Sequence, residues 1–402
     1  MKRYLFIIAI LFPVMLYAQE NSQWRGERRD GIYHEIGLLK EWPAGGPQLL
    51  WKYEGLGDGY TSVAVANGKL YITGLTDDKL ILYVFDLKGQ LLVKKEISEE
   101  WTTGYAGPRS TLCINDGKLY IYNAFGKLFC LSEVTLDEIW TKSLFTDFDG
   151  QNVKWGINES PLIVGEKIIM TPGGVVNNMV ALNKNTGELI WSSPGEGAIS
   201  GYCSPQYLDD QTIPMVVNST FDYIIALNAE TGEKLWSVPR STKYGQHPNT
   251  PVCYNGMIFS PTGDGGGSLM LRLKNGGKDV EVVWENLEMD TQMGGAIKIG
   301  NYIYATGQLN RYWFCLDWNT GETKYKVRDL APCSVIYADG MLYCYSDKGT
   351  MNLVKPNPDQ FELISSFDVT LGTEPHWAHP VIHEGVLYLR HGDALMAYKI
   401  KQ

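Results

Sequence analysis

Few side chains in this 402-residue chain are equipped for chemistry, and they are dispersed. Asn158 and Glu159 stand side by side in "WGINESP" (155–161). Glu159 could act as a general base or as a metal ligand. The competing reading of Glu159 is structural: it can pin a loop by accepting backbone N–H bonds. Arg109 either neutralises Glu159 or grips an anionic ligand with its planar fork. His247, His376 and His379 could gather around a metal. However, "EPHWAHP" (374–380) lacks the helix or hairpin that usually sets imidazole spacing, so no metal site is assigned. The seven cysteines include no C-x-x-C pair and sit mostly in apolar runs, where a buried free thiol is the simplest reading. "GDGGGS" (263–268) resembles a phosphate loop only superficially, because it lacks the following helix and Lys; it reads as a mobile blade loop.

What must position these residues is a repeat. "ALNKNTGELIW" (181–191) and "ALNAETGEKLW" (226–236) are near copies, and "CLSEVTLDEIW" (130–140) and "CLDWNTGETKY" (315–325) keep the frame. "VFDLKGQLLV" (84–93) shortens it and "LRLKNGGKDVEVVW" (271–284) lengthens it. A second pattern precedes each frame, from "NGKLYITG" (67–74) and "DGKLYIYN" (116–123) to "EGVLYLRH" (384–391). "QTIPMVVN" (211–218) is a degenerate copy of it. Eight units, 39 to 49 residues apart and without a convincing helical stretch, imply a ring or stack of β-sheets.

Within a unit, a turn such as Asn67-Gly68 joins an innermost strand to an alternating apolar strand. A third strand ends at Leu-Asn, the chain turns at Thr-Gly, and a fourth strand ends in an aromatic. Gly187 and Gly232 suit a turn of positive φ. Trp191 and Trp236, like Trp140, Trp284 and Tyr325, would fill the wedge between one blade and the next. The last unit runs out of chain before its fourth strand; "PQLLWKYEG" (47–55), with Trp51 in the wedge position, would supply it. The fold expected is all-β. It is an eight-bladed β-propeller of four-stranded antiparallel blades over 47–402, closed by an N-terminal strand, with seven blades as the alternative count. Residues 19–46 read as an N-terminal extension.

A propeller gathers equivalent loops around one axis. Aligning the units places Tyr60 and Thr61, Arg109 and Ser110, Asn158 and Glu159, and Tyr202 and Ser204 just before innermost strands. The ring continues with His247 and Asn249, Gln292 and Met293, Cys333 and Ser334, and Trp377 and His379. Trp101, Tyr105, Trp155, Gln246 and His376 fall slightly upstream, at the rim. Arg109, Asn158, Glu159, His247, Asn249, Gln292 and His379 are the polar candidates for ligand contact. Trp155, Tyr202 and Trp377 are the aromatic ones, which either stack on a sugar or quinone or pack the funnel wall.

The frame Ala-Leu-Asn-x-x-Thr-Gly-Glu-x-x-Trp resembles the tryptophan-docking motif of quinoprotein-alcohol-dehydrogenase-like propellers. With "WRGERRDGI" (24–32) and "HWAHPVIHEGVLYLR" (376–390), the chain is similar to exported PQQ-binding-like β-propeller repeat proteins, a group often labelled BamB-like. The resemblance implies either a PQQ- and Ca2+-dependent dehydrogenase of an alcohol or sugar, or a BamB-like outer-membrane protein assembly factor. In the enzyme, Asn158 and Glu159 would be the metal ligands and Trp377 would stack on the quinone. The Cys-Cys pair common in such enzymes is absent, and no ring Asp can be carried over. The first Cys is Cys113, so the lipobox cysteine of BamB-like lipoproteins has no counterpart. The reading placed first is a scaffold that binds a small molecule, glycan or periplasmic protein through an axial funnel, with no cofactor assigned.

The start "MKRYLFIIAILFPVMLYAQE" reads as a signal peptide ending at Ala18, which predicts a periplasmic or otherwise exported protein without a membrane anchor. The formal charge of −10 argues against nucleic acid as a partner. The densest basic run, "RGERRD" (25–30), is offset by Glu27 and Asp30.

Overall fold

The computed structural model describes residues 22–402 apart from Met293; the expected signal peptide and that one ring member lie outside the described residues. Seven antiparallel blades follow one another, with innermost strands beginning at Ala64, Cys113, Leu162, Gln206, Val252, Ile297 and Cys333. The eighth takes Val381–His383, Val386–His391 and Ala394–Lys399 from the C-terminus and its outermost strand, Gln48–Glu54, from the N-terminus. The propeller therefore has eight blades, and the two chain ends share one sheet. No helix among the described residues is long and apolar enough to cross a membrane.

The recurring eleven-residue frame is a docking device. In the third blade Trp191 faces Ala181 while Leu189 faces Leu182, so Ile190 is a bulged extra residue. Bulges of this kind bend a strand and re-aim the side chain beside it. The indole then reaches the next blade, where Trp191 Nε1 donates to Ala229 O at 3.1 Å. Trp140 reaches Lys184 O, Trp284 reaches Trp318 O and Trp51 reaches Leu87 O at the same distance. Under each ring lies the glycine of the following turn. A Cβ on Gly232 would stand 2.6 Å from Trp191, and one on Gly321 2.5 Å from Trp284. The glycine is thus required twice, for a φ of +74° at Gly232 and for the face of the indole. Trp236 packs instead among Ile258, Leu269 and Leu271 of the next blade, and its Nε1 is buried without a partner. The core follows from this docking: apolar slabs lie between adjacent blades, as where Ile169, Ala181 and Trp191 meet Val216 and Ile225.

The basic run before the first blade is not a surface patch. Residues 22–33 fill the axial channel. Ile32–Tyr33 adds a parallel strand to Cys333–Ala338, the innermost strand of the seventh blade. Ser22 O accepts from Ile114 N of the second blade at 2.8 Å. Arg29 donates to Ser160 O (2.6 Å) and Pro161 O (3.2 Å) at the third. Gln206 of the fourth donates to Arg28 O (2.9 Å). Arg25 donates to Gly294 O (3.0 Å) and Ala296 O (3.3 Å) and meets His379 Nδ1 at 3.2 Å. Burial lowers both guanidinium groups to about 10, and their carbonyl partners replace the lost water. Past Tyr33 the chain crosses the far face, where Lys40 pairs with Asp339 at 2.7 Å and Trp42 packs on Tyr343 and Phe367. Residues 22–46 are therefore integral to the propeller.

Candidate functional site

With the channel plugged from below, its other end is a blind funnel of about 600 Å3. The connections entering the blades form its walls. Trp24, carried by the plug, lines it together with His379, the two rings meeting edge-on at 5.1 Å. One aromatic cluster joins Trp377 to Tyr60 (5.2 Å) and Tyr105 (4.7 Å). A second, from the connections into the third, fourth and fifth blades, joins Trp155 to Tyr202 and Tyr244, each at 6.2 Å. The carboxamides Asn158, Gln246, Asn249, Gln292 and Gln308 stand among the lining residues. Some are held in place: Asn249 donates to Thr291 O and accepts from Gly295 N, and Gln292 donates to Gln246.

The lining cations are Arg109 and Lys154. Arg109 donates to the carbonyls of Gly104, Tyr105 and Gly107, and its guanidinium lies 5.8 Å from the Tyr60 ring. Burial pulls its pKa down. Lys154 sits 4.6 Å from the Trp155 ring centre and 5.5 Å from that of Tyr244. The lining carboxylate is Asp264, on the "GDGGGS" turn; burial, then the charge of Asp290, raises its pKa.

Eight of the ten residues expected to contact a ligand line this cavity: Arg109, Trp155, Asn158, Tyr202, Asn249, Gln292, Trp377 and His379. Glu159 and His247 do not. Glu159 is fully buried behind the wall, accepting from Thr171 N and Thr171 Oγ1, both at 3.1 Å. Asn218 completes the network by donating to Thr171 Oγ1 at 2.7 Å. The cation near Glu159 is Arg29 of the plug rather than Arg109, and burial pushes its carboxyl up to about 8. His247 turns away to meet Phe221 O at 3.1 Å, and desolvation lowers it to about 4. The physical reason is shared: adjacent residues entering an innermost strand point to opposite sides, so Asn158 faces the funnel and its neighbour faces the blade. Of the rim residues, Tyr105, Trp155 and Gln246 reach the cavity, whereas Trp101 packs on Phe125 and His376 stacks on His391.

Lys154 and Tyr244 were not foreseen, although each lies within two residues of a foreseen position. Trp24 was not foreseen either, and it belongs to no repeat.

A quinone with Ca2+ does not fit this donor set. Among the described residues no three His, Cys, Asp or Glu side chains gather where they could hold a metal. Asn158 Oδ1 is buried without a partner, but Glu159 beside it is committed to Thr171. The aromatic contacts are tilted by 37° to 74°, so they form a bowl rather than the parallel slot that a planar ring system fills.

The chain matches the family model described as outer membrane protein assembly factor BamB over residues 77–196 and 138–357. A quinoprotein ethanol dehydrogenase of Pseudomonas aeruginosa is 29% identical over 96 residues, 24% of this chain and 15% of that enzyme. The match to the enzyme of the same name from Pseudomonas putida covers 17% of its length, so the chain spans only a small part of these relatives. Among solved structures, BamB from Moraxella catarrhalis superposes with a TM-score of 0.64 at 13% identity, covering 88% of this chain and 99% of that one. A quinohemoprotein alcohol dehydrogenase from Comamonas testosteroni gives 0.67 at 12% identity, covering 95% and 81%. At such identities the structures share a fold and no more. The family model spans most of the chain and the docking motif recurs around the ring, so this protein belongs to the BamB-type family of PQQ-like β-propellers.

Proposed function

We propose that the protein is an exported binding propeller that receives a small molecule in its axial funnel and performs no redox chemistry on it. The observation that carries this reading is the plug: residues 22–33 close one end of the channel, leaving an aromatic cup open on the other. A cup of about 600 Å3 lies in the usual range for small-molecule pockets, roughly 300–1,000 Å3. Its rings can bury the apolar faces of a ligand, and its carboxamides can both donate to and accept from polar groups.

The test is a melting-temperature titration of the purified protein with a panel of small polar metabolites and saccharides, repeated with Trp377→Ala. A ligand that binds only the folded state raises the melting point by mass action. Saturable stabilisation that Trp377→Ala abolishes supports the reading. Stabilisation indifferent to Trp377, or none across the panel, contradicts it.

A second reading, docking of a protein partner as in assembly factors, is favoured by exposed apolar side chains on the funnel face. Val175, Val176, Leu287 and Leu309 are 63% to 68% exposed on loops of that face. Copurification of an outer-membrane protein, lost in a Val176→Asp, Leu309→Asp variant, would move this reading to first place.

A further inference from the structure

We propose that the ligand of the funnel is an acidic saccharide, a glycan segment carrying uronic acid groups; the inference rests on the small-molecule reading above. Three observations point to this class. The first is the shape of the aromatic lining. Trp377 meets Tyr60 at 37° and Tyr105 at 53°, and Trp155 meets Tyr202 at 42° and Tyr244 at 74°. Tilted faces suit puckered pyranose rings, whose C–H faces lie on aromatic rings while their hydroxyls project sideways.

The second observation is the polar complement. Five carboxamides line the cavity. A carboxamide donates and accepts at once, as a hydroxyl does, so a polyol can satisfy both ends. A planar aromatic acid offers acceptors almost alone and would leave unpaired the Asn158 Oδ1, which is buried without a partner in the protein.

The third observation is charge. The chain carries 45 acidic against 35 basic residues, and its surface cations commonly pair, as in Lys167–Glu230 and Lys234–Glu196 at 2.6 Å. Arg109 and Lys154 form no ion pair among the described residues. Lys154 stands instead over two aromatic faces, and Lys243 adds a third cation 5.0 Å from the centre of the Tyr244 ring, beside a smaller adjoining recess. Unpaired cations set among sugar-stacking rings are arranged for a carboxylate carried on a sugar. Asp264 is the one carboxylate among these lining residues, set against the two cations Arg109 and Lys154.

The test is calorimetric titration of the mature protein, with tryptophan fluorescence as a second readout because Trp24, Trp155 and Trp377 line the site. The probes are oligogalacturonate, oligomannuronate and hyaluronan fragments, with maltotriose and cellotriose as neutral controls and PQQ as a planar acid. The inference predicts saturable binding of at least one uronide, at least tenfold tighter than either neutral trisaccharide and weakening as salt is raised. Lys154→Ala should weaken it about tenfold, Lys154→Arg should restore it, and Trp155→Ala should weaken it further. Lys154 is exposed, so its removal leaves the melting temperature as a folding control. Binding of a neutral saccharide or of PQQ in place of every uronide, lost in Trp377→Ala, would keep the funnel as a site and overturn its assignment to acidic glycans. Binding of no probe at all would overturn the assignment as well, while a response to other small molecules would leave the broader reading standing.

Discussion

Replacing Glu159 with Gln should make the protein more stable at alkaline pH, which is not what loss of a ligand-binding carboxylate would do. The side chain is fully buried and its carboxyl is pushed up to about 8 from an ordinary value of 4.5. Between those values the native state keeps a proton that the unfolded state has released, so stability falls as pH rises through that window. The penalty on the anion is on the order of 5 kcal/mol. The pull of Arg29 is already contained in that value, and local relaxation should hold the measurable part to about 2–4 kcal/mol. Gln keeps the shape: its Oε1 can accept from Thr171 N while its Nε2 donates to Thr171 Oγ1. Urea midpoints measured from pH 5 to pH 9 should therefore agree within about 1 kcal/mol at the acid end and diverge upward in favour of Glu159→Gln at the alkaline end. Subtracting the two curves isolates this residue from Glu100, whose burial also raises it, to about 7. Added Ca2+ should leave both curves unchanged. A gap independent of pH, or a variant less stable at pH 9, would refute the reasoning.

Other consequences are as specific. Gly232→Ala should cost about 2–4 kcal/mol, combining a disfavoured positive φ with collision against Trp191, whereas Gly68→Ala, with a similar φ and open space around it, should cost only about 1 kcal/mol; chemical denaturation compares them. Arg25→Ala should strand the carbonyls of Gly294 and Ala296, destabilise by about 2–4 kcal/mol and speed amide exchange across residues 22–33, and Arg25→Lys should not restore protection because one ammonium cannot span those acceptors. His247, held neutral down to about 4, takes up its proton first in the unfolded state, so stability should fall as pH drops from about 6.5 toward 4; His247→Asn should make that limb shallower in the same urea assay, the remainder coming from His376 and His379, which burial also lowers.

The blades were legible because their cause is repeated. The Leu-Asn turn, the Thr-Gly glycine and the terminal Trp recur at fixed offsets: an indole on the next blade's glycine explains the last two, and Asn183 and Asn228 close their turns by accepting from the amides two and three residues on. What spacing did not reveal is the bulge at Ile190 that aims the indole. The ring of site residues was legible to within one position. Alignment named the pairs but not which members line the cavity: Tyr202 and Ser204 both do, Cys333 and Ser334 do not, and of Asn158 and Glu159 only the first does. The plug was not legible. "WRGERRDG" occurs once and has no period, and its offsetting charges imitate a solvated loop. Arg25 and Arg29 are nonetheless 3% exposed, because backbone carbonyls at the tops of several blades converge on the axis and together can satisfy a guanidinium.

The central claim is that the funnel is a binding cup and that the acid behind its wall is structural. The most direct test is titration with PQQ, with and without Ca2+, followed by absorbance and melting temperature, on the unmodified protein and on Glu159→Gln. The account predicts no Ca2+-dependent stabilisation in either protein. A saturable, Ca2+-dependent rise in melting temperature that Glu159→Gln abolishes would contradict it and place a quinone cofactor in the funnel.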